Sequence, residues 1–128
     1  MTKLLASTGA LVGTYSVANN PVAIAFDGTN IWVANYNSNN VTKLLASTGD
    51  LVGTYSVANY PLAIAFDGTN IWVVNSVSNN VTKLLASTGA LVGTYSVGTY
   101  TGGIAFDGTN IWVANYGNNN VTKLPPLP

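Results

Sequence analysis

The chain has 128 residues, the size of one ordinary domain, and 48% of them are hydrophobic, so material for a core is ample. Only 6% are charged, four Lys against four Asp, and the net charge of zero offers no basic surface to neutralise a phosphate backbone, which argues against a nucleic-acid partner. Cys, His, Arg and Glu are absent, which excludes disulfides and thiolate or imidazole metal sites. Solubility must come from Asn, Ser, Thr and Tyr, and a net charge of zero does little to oppose self-association.

Taken in order, the chain repeats. Residues 1–40, 41–80 and 81–120 align without a gap, and residues 121–124 begin a fourth copy that Pro125, Pro126 and Pro128 interrupt. The first residues, with Lys3, Leu4, Leu5 and Ala6, resemble a secretory leader. They recur at 42–49 and 82–89, so they read as a structural unit and not as a signal peptide. No apolar run reaches the roughly 18–20 residues of a membrane-spanning helix.

Each copy predicts four strands. In the first copy these are residues 2–6, 11–17, 22–26 and 31–35. They are short, rich in Val, Ile, Tyr, Trp and Thr, and bounded by Gly, Asn, Asp and Ser. Gly or Asn interrupts every helical candidate within about ten residues. Val22, Ile24 and Phe26 point one way and Ala23, Ala25 and Asp27 the other, so both faces of the strand are largely apolar and both need cover. Sheets stacked face to face around an axis provide it. One four-stranded unit per roughly 40–45 residues is the spacing of propeller blades.

The segment Pro-x-Ala-Ile-Ala-Phe-Asp-Gly-Thr-Asn-Ile-Trp-Val, followed by Asn-Asn-Val-Thr-Lys-Leu, runs from Pro21 to Leu44 and again from Pro61 to Leu84. It resembles the blades of NHL-type and YVTN-type β-propellers, and the near-identity of the copies resembles engineered or recently amplified symmetric ones. The resemblance implies that residues 22–26 form the innermost strand A, 31–35 strand B, 41–46 strand C and 51–57 strand D. The third copy departs from it, with Thr101-Gly102-Gly103 in place of Pro61-Leu62-Ala63.

This reading gives an all-β propeller with three blades per chain. Residues 1–20 supply strands C and D of a split blade, 21–60 and 61–100 are whole blades, and 101–124 supply strands A and B with a spare strand C. Residues 125–128 form a mobile tail. Three blades do not close a ring, so the expected partner is a second copy of the chain, with no nucleic acid and no membrane. Strands C and D of one copy would join A and B of the next, with Thr2, Leu4, Leu11, Tyr15, Ile111 and Val113 at the closure. Residues 2–6, joined to their own strand D by a turn, are expected to take the strand C position ahead of 121–124. Three chains make nine blades and two make six. The bulk of Ile24, Phe26 and Trp32 inside, against Gly53, Thr54 and Ser56 outside, favours nine.

No catalytic constellation is visible, and no cofactor or metal is expected. A Ser or Thr nucleophile has no His or Cys to work with. Asp27, Asp67 and Asp107 read as openers of Asp-Gly-Thr-Asn turns, and a ring of cation-binding carboxylates is the alternative. Trp32, Trp72 and Trp112 read as packing between blades. Lys3, Lys43, Lys83 and Lys123 read as solvated strand positions. The copies differ mostly in two loops of one face, which carry Tyr36, Tyr60, Tyr100 and Tyr116 among many Asn. These tyrosines, or alternatively the central channel, are the candidate surface for a glycan, peptide or cation.

Overall fold

The computed structural model describes residues 1–124. The expected tail at 125–128 lies outside the described residues. Thirteen strands and no helix occur among those described: β1 (Thr2–Leu4), β2 (Leu11–Thr14), β3 (Pro21–Phe26), β4 (Asn30–Asn35), β5 (Asn40–Leu45), β6 (Leu51–Ser56), β7 (Pro61–Phe66), β8 (Asn70–Asn75), β9 (Asn80–Leu85), β10 (Leu91–Ser96), β11 (Thr101–Phe106), β12 (Ile111–Asn115) and β13 (Asn120–Leu124).

They form four antiparallel sheets. Sheet I is β1-β2, sheet II β3-β4-β5-β6, sheet III β7-β8-β9-β10 and sheet IV β11-β12-β13. Every connection within a sheet is a hairpin, as the turn chemistry demands. Gly28, Gly68 and Gly108 sit at φ near +98° in the Asp-Gly-Thr-Asn turns, where a Cβ is costly. Pro21 and Pro61, which have no N–H to give a ladder, stand at the first residue of edge strands.

The sheets stack with β7 between β3 and β11. The core lies between sheets. Trp32, Ala34 and Val41 of sheet II bury against Ile71, Val73, Leu84 and Ala86 of sheet III, with Tyr55, Ile64 and Phe66 packed around them. Trp72, Val74 and Val81 of sheet III bury in the same way against Ile111 and Val113 of sheet IV. Period-two alternation explains the second layer of each joint. Trp32 faces forward along the stack, while Ile71 and Val73, the counterparts of its neighbours Ile31 and Val33, face backward.

In sheet IV the neighbour of β12 is β13 of the same chain, paired from Ile111 with Leu124 to Asn115 with Asn120. The position expected for residues 2–6 of a second copy is thus filled, within one chain, by its own 120–124. The four residues 116–119 join β12 to β13, which makes β13 the nearest strand available to that edge.

Candidate functional site

Each turn aspartate is committed to structure. Asp27 Oδ1 accepts from the amides of Thr29 (2.9 Å) and Asn30 (2.7 Å), as expected of a turn opener. Its Oδ2 accepts from the indole Nε1 of Trp32 at 2.8 Å, a bond the sequence reading missed. Asp67 does the same with Trp72 (2.7 Å) and Asp107 with Trp112 (2.8 Å). Burial works to raise the pKa of Asp27 and Asp67, but the indole and the turn amides outweigh it and hold both below the ordinary carboxylate value. For Asp107 the Trp112 indole leads, with the Asn110 and Thr109 amides, and the pKa falls to about 2. Among the described residues no three His, Cys, Asp or Glu come together to hold a metal.

Two of the lysines overturn the expectation of solvated positions, whereas Lys123 is exposed as expected and Lys3 is half-buried. Lys43 is 3% exposed and Lys83 1%. Lys43 lays its stem along Trp32, with Nζ 5.1 Å from the ring centroid, and donates to the backbone oxygen of Ala86 in the next sheet at 2.8 Å. Lys83 stands 4.9 Å over Trp72 and Lys123 5.3 Å over Trp112. A long aliphatic stem covers the aromatic face while the ammonium reaches a carbonyl, so a charged residue becomes part of the joint. The signal was legible only in register: each Lys pairs with a Trp across strands.

The two outer faces of the stack repeat the inner surfaces with less cover. At sheet IV, Trp112 is 37% exposed, against 0% for Trp32, and Ala114 and Val121 are exposed beside it. At sheet II, Val22, Ile24 and Phe26 are exposed, whereas Ile64 and Phe66 of sheet III are packed. Sheet I lies against the same side of sheet II. Lys3 donates to Ala46 O at 2.9 Å, the relation that Lys43 has with Ala86. Between sheets I and II runs an apolar groove of about 310 Å³ whose lining includes Lys3, Tyr15, Ile24, Ile31, Leu44 and Ala46.

Of the closure residues read from sequence, Tyr15 lines that groove with Thr2 and Leu4, and Leu11 is exposed on β2. Ile111 and Val113 are fully buried against sheet III, so their side chains belong to an inner joint. The alternate residues of β12, Trp112 and Ala114, carry the exposed face.

The four loop tyrosines fall into two pairs. Tyr36 and Tyr60 meet at 4.8 Å between centroids, and Tyr100 and Tyr116 stack at 5.7 Å. Tyr60 and Tyr100 hold left-handed backbone, φ 57° and 51°, at the position where the first copy has Asn20. A bulky residue there costs about 1–2 kcal/mol. Asn39 Oδ1 and Asn79 Oδ1 accept from the amides of Tyr60 and Tyr100 and help fix the bend. Two glycines particular to the third copy, Gly102 and Gly117, lie against the second pair, and Gly98 lies against the neighbouring asparagines. A Cβ on Gly117 would press on Tyr100, one on Gly102 would touch Tyr116, and one on Gly98 would strike Asn115 and Asn118. Gly98 also donates to Asn115 Oδ1, whereas Asn35 and Asn75 keep that atom buried without a partner.

No protein-family profile matches the chain, and no curated protein matches it in sequence. Solved structures do match in shape. Hydrazine synthase from Kuenenia stuttgartiensis superposes with a TM-score of 0.67 at 23% identity, over 86% of this chain and 36% of that one. A functionally unknown protein from Desulfotomaculum acetoxidans DSM 771 gives 0.77 at 17% identity, over 94% of this chain and 46% of the other. The chain spans less than half the length of either structure. At these identities the likeness concerns the fold, which is all-β and propeller-like, with sheets II and III as four-stranded blades.

Proposed function

We propose that this chain is a non-catalytic, self-assembling scaffold that closes a β-propeller ring with further copies of itself, built from repeats resembling the NHL and YVTN types. One observation carries the reading. The cluster around Trp32 contains Ile71, Leu84 and Ala86 with Tyr55 packed on it. Their counterparts forty residues earlier are Ile31, Leu44, Ala46 and Tyr15, and all four line the groove between sheets I and II. Trp112, the third copy of Trp32, is exposed at the opposite face. The seat and the side chain that fits it therefore lie on the two outer surfaces of the same molecule, which is a head-to-tail complement. The inside-to-outside decrease in side-chain bulk favours three chains and nine blades, with two chains and six blades as the alternative. Native mass spectrometry tests the reading. The chain is expected to give a small integral multiple of 13.3 kDa, and Trp112→Asp to give the single chain; a wild-type single chain refutes the scaffold.

A second reading rests on a different observation, the Tyr100–Tyr116 stack with Gly102 and Gly117 against it. Exposed tyrosine faces among neutral Asn side chains suit the C–H face and hydroxyls of a neutral sugar. Titration of neutral oligosaccharides against tyrosine fluorescence tests it. Loss of a response in Tyr116→Ala supports the site, and no response in the wild type removes it.

A further inference from the structure

Sheet IV holds a strand that the proposed ring must dispose of. Once sheet I of a second copy docks beside sheet IV, two strands, β13 and β1, compete for the edge of β12. We infer that β13 is an internal placeholder, which guards that edge in the single chain and is displaced by β1 of the incoming copy. The inference rests on the assembly reading above.

Four observations carry it. First, the two strands have the same register possibilities. β13 sets Lys123 opposite Trp112 and Thr122 opposite Val113. Lys3 and Thr2 hold the same places in the repeat, with Leu4 standing where Leu124 faces Ile111. Second, β13 cannot make the bonds that finish this strand in the inner sheets. The amide of Leu45 donates to Asp50 O and that of Ala46 to Thr29 O, and Leu85 and Ala86 repeat both. The corresponding residues after β13 are Pro125 and Pro126, which have no N–H. Accordingly β12 starts at Ile111, whereas β4 and β8 start one place earlier, at Asn30 and Asn70. Leu5 and Ala6 carry both amides. Leu5 already donates to Ala10 O at 2.8 Å, and Ala6 suits the oxygen of Thr109 in the turn before β12.

Third, β1 arrives with strand D attached. The hairpin is held at its far end by Tyr15 N to Met1 O (2.7 Å) and by the Met1 amine to Tyr15 O (2.9 Å). Tyr15 would then meet Trp112 as Tyr55 meets Trp32 and Tyr95 meets Trp72, both at 5.5 Å. Using β13 instead would require the β1–β2 ladder to open. Fourth, Lys3 already spans to Ala46 O in sheet II. Placed on β12 it would cover Trp112 and hold the carbonyl at once, as Lys43 does with Trp32 and Ala86. In the single chain β13 shields the β12 edge from unselective strand addition. The fraction of molecules with β13 released then sets the apparent affinity of one copy for the next.

The chain has no Cys, so engineered pairs report without background. In the full-length protein, Val113→Cys with Thr122→Cys bridges β12 to β13 within a chain. Val113→Cys with Thr2→Cys bridges β12 to β1 only between chains. The expected result is that the oxidised first variant is held as the single chain, with assembly weakened at least about tenfold, and regains the wild-type mass on reduction. The second variant is expected to form interchain disulfides that link the ring. Val113→Cys alone controls for the lost methyl group. If the oxidised Val113→Cys/Thr122→Cys protein assembles as well as the reduced one, and the Thr2→Cys pair gives no interchain bond, β13 is the working strand and the inference is overturned while the scaffold stands. If wild type and reduced variants are all single chains, the scaffold reading itself has failed.

Discussion

The joint between sheets II and III and the outer face of sheet IV are built from the same residues and differ only in cover. Trp32 has an aspartate on its indole nitrogen, a lysine over one face, a tyrosine beside it and an apolar floor from the next sheet. Trp112 keeps the aspartate and the lysine, which come from its own hairpins, and is 37% exposed. The parts supplied within a sheet are therefore local, and the parts supplied between sheets are the ones an outer face lacks. Stability in this molecule is a sum over joints, as expected for stacked repeats that contact only their neighbours.

The largest way to break the comparison is to truncate the tryptophan. Trp72→Ala is expected to cost about 3–5 kcal/mol in urea unfolding, the usual range for a fully buried large side chain. Trp112→Ala is expected to cost the single chain less than about 1 kcal/mol and to abolish assembly, read by sedimentation. Equal costs at both sites would mean that Trp112 is covered in the dilute chain.

Next in size is the glycine of the C–D turn. Gly89 sits at φ +79° and a Cβ there would fall onto the Tyr55 ring. Gly9 sits at φ +75° with nothing near its Cβ position. Gly9→Ala should cost about 1 kcal/mol from backbone strain alone, and Gly89→Ala about twice that or more. Assembly should enlarge the Gly9→Ala cost, because Tyr95 of the next copy would then reach Gly9.

Removing the charge on the indole partner is expected to be smaller. Asp67→Asn keeps an acceptor for the Thr69 and Asn70 amides and loses the one that serves Trp72, a loss of about 1.5 kcal/mol. The smallest effect is that of pH. A carboxyl with a lower pKa folded than unfolded adds stability that is fully present above the unfolded value and is lost as pH falls through the folded one. For Asp107 that window runs from 3.8 down to about 2. The urea midpoint should hold down to about pH 4 and then decline, and Asp107→Asn should flatten part of the decline. A midpoint that rises on acidification would contradict the role given to these aspartates.

Much of this architecture was legible in the residues. The Asp-Gly-Thr-Asn turns, the strands of each copy and the alternation that sends Trp32 one way and Val33 the other follow from local chemistry and a period of two. Lys43 was misread because a charge in a strand ordinarily signals water. Only the register, which sets Lys43 opposite Trp32 and points both at Ala86, shows why it is buried. Ile111 and Val113 were assigned to the closure from their strand; their backbone forms the β12 edge, while their side chains point into the inner joint. The indole–aspartate bond escaped because a five-residue separation across a hairpin is not a sequence signal; it needs the turn to be in place first. The Tyr36–Tyr60 contact was hidden because the two residues come from different copies, whereas Tyr100 and Tyr116 belong to one copy and meet at the open end of the β11–β12 hairpin, where the amide of Tyr116 donates to Tyr100 O.

The central claim is that the groove between sheets I and II receives Trp112 of another copy. Sedimentation equilibrium over a wide range of concentration tests it most directly. The account predicts a closed species at three times the chain mass of 13.3 kDa, or at two times the chain mass if six blades form, with no larger ladder. A single species of 13.3 kDa at every concentration would contradict it.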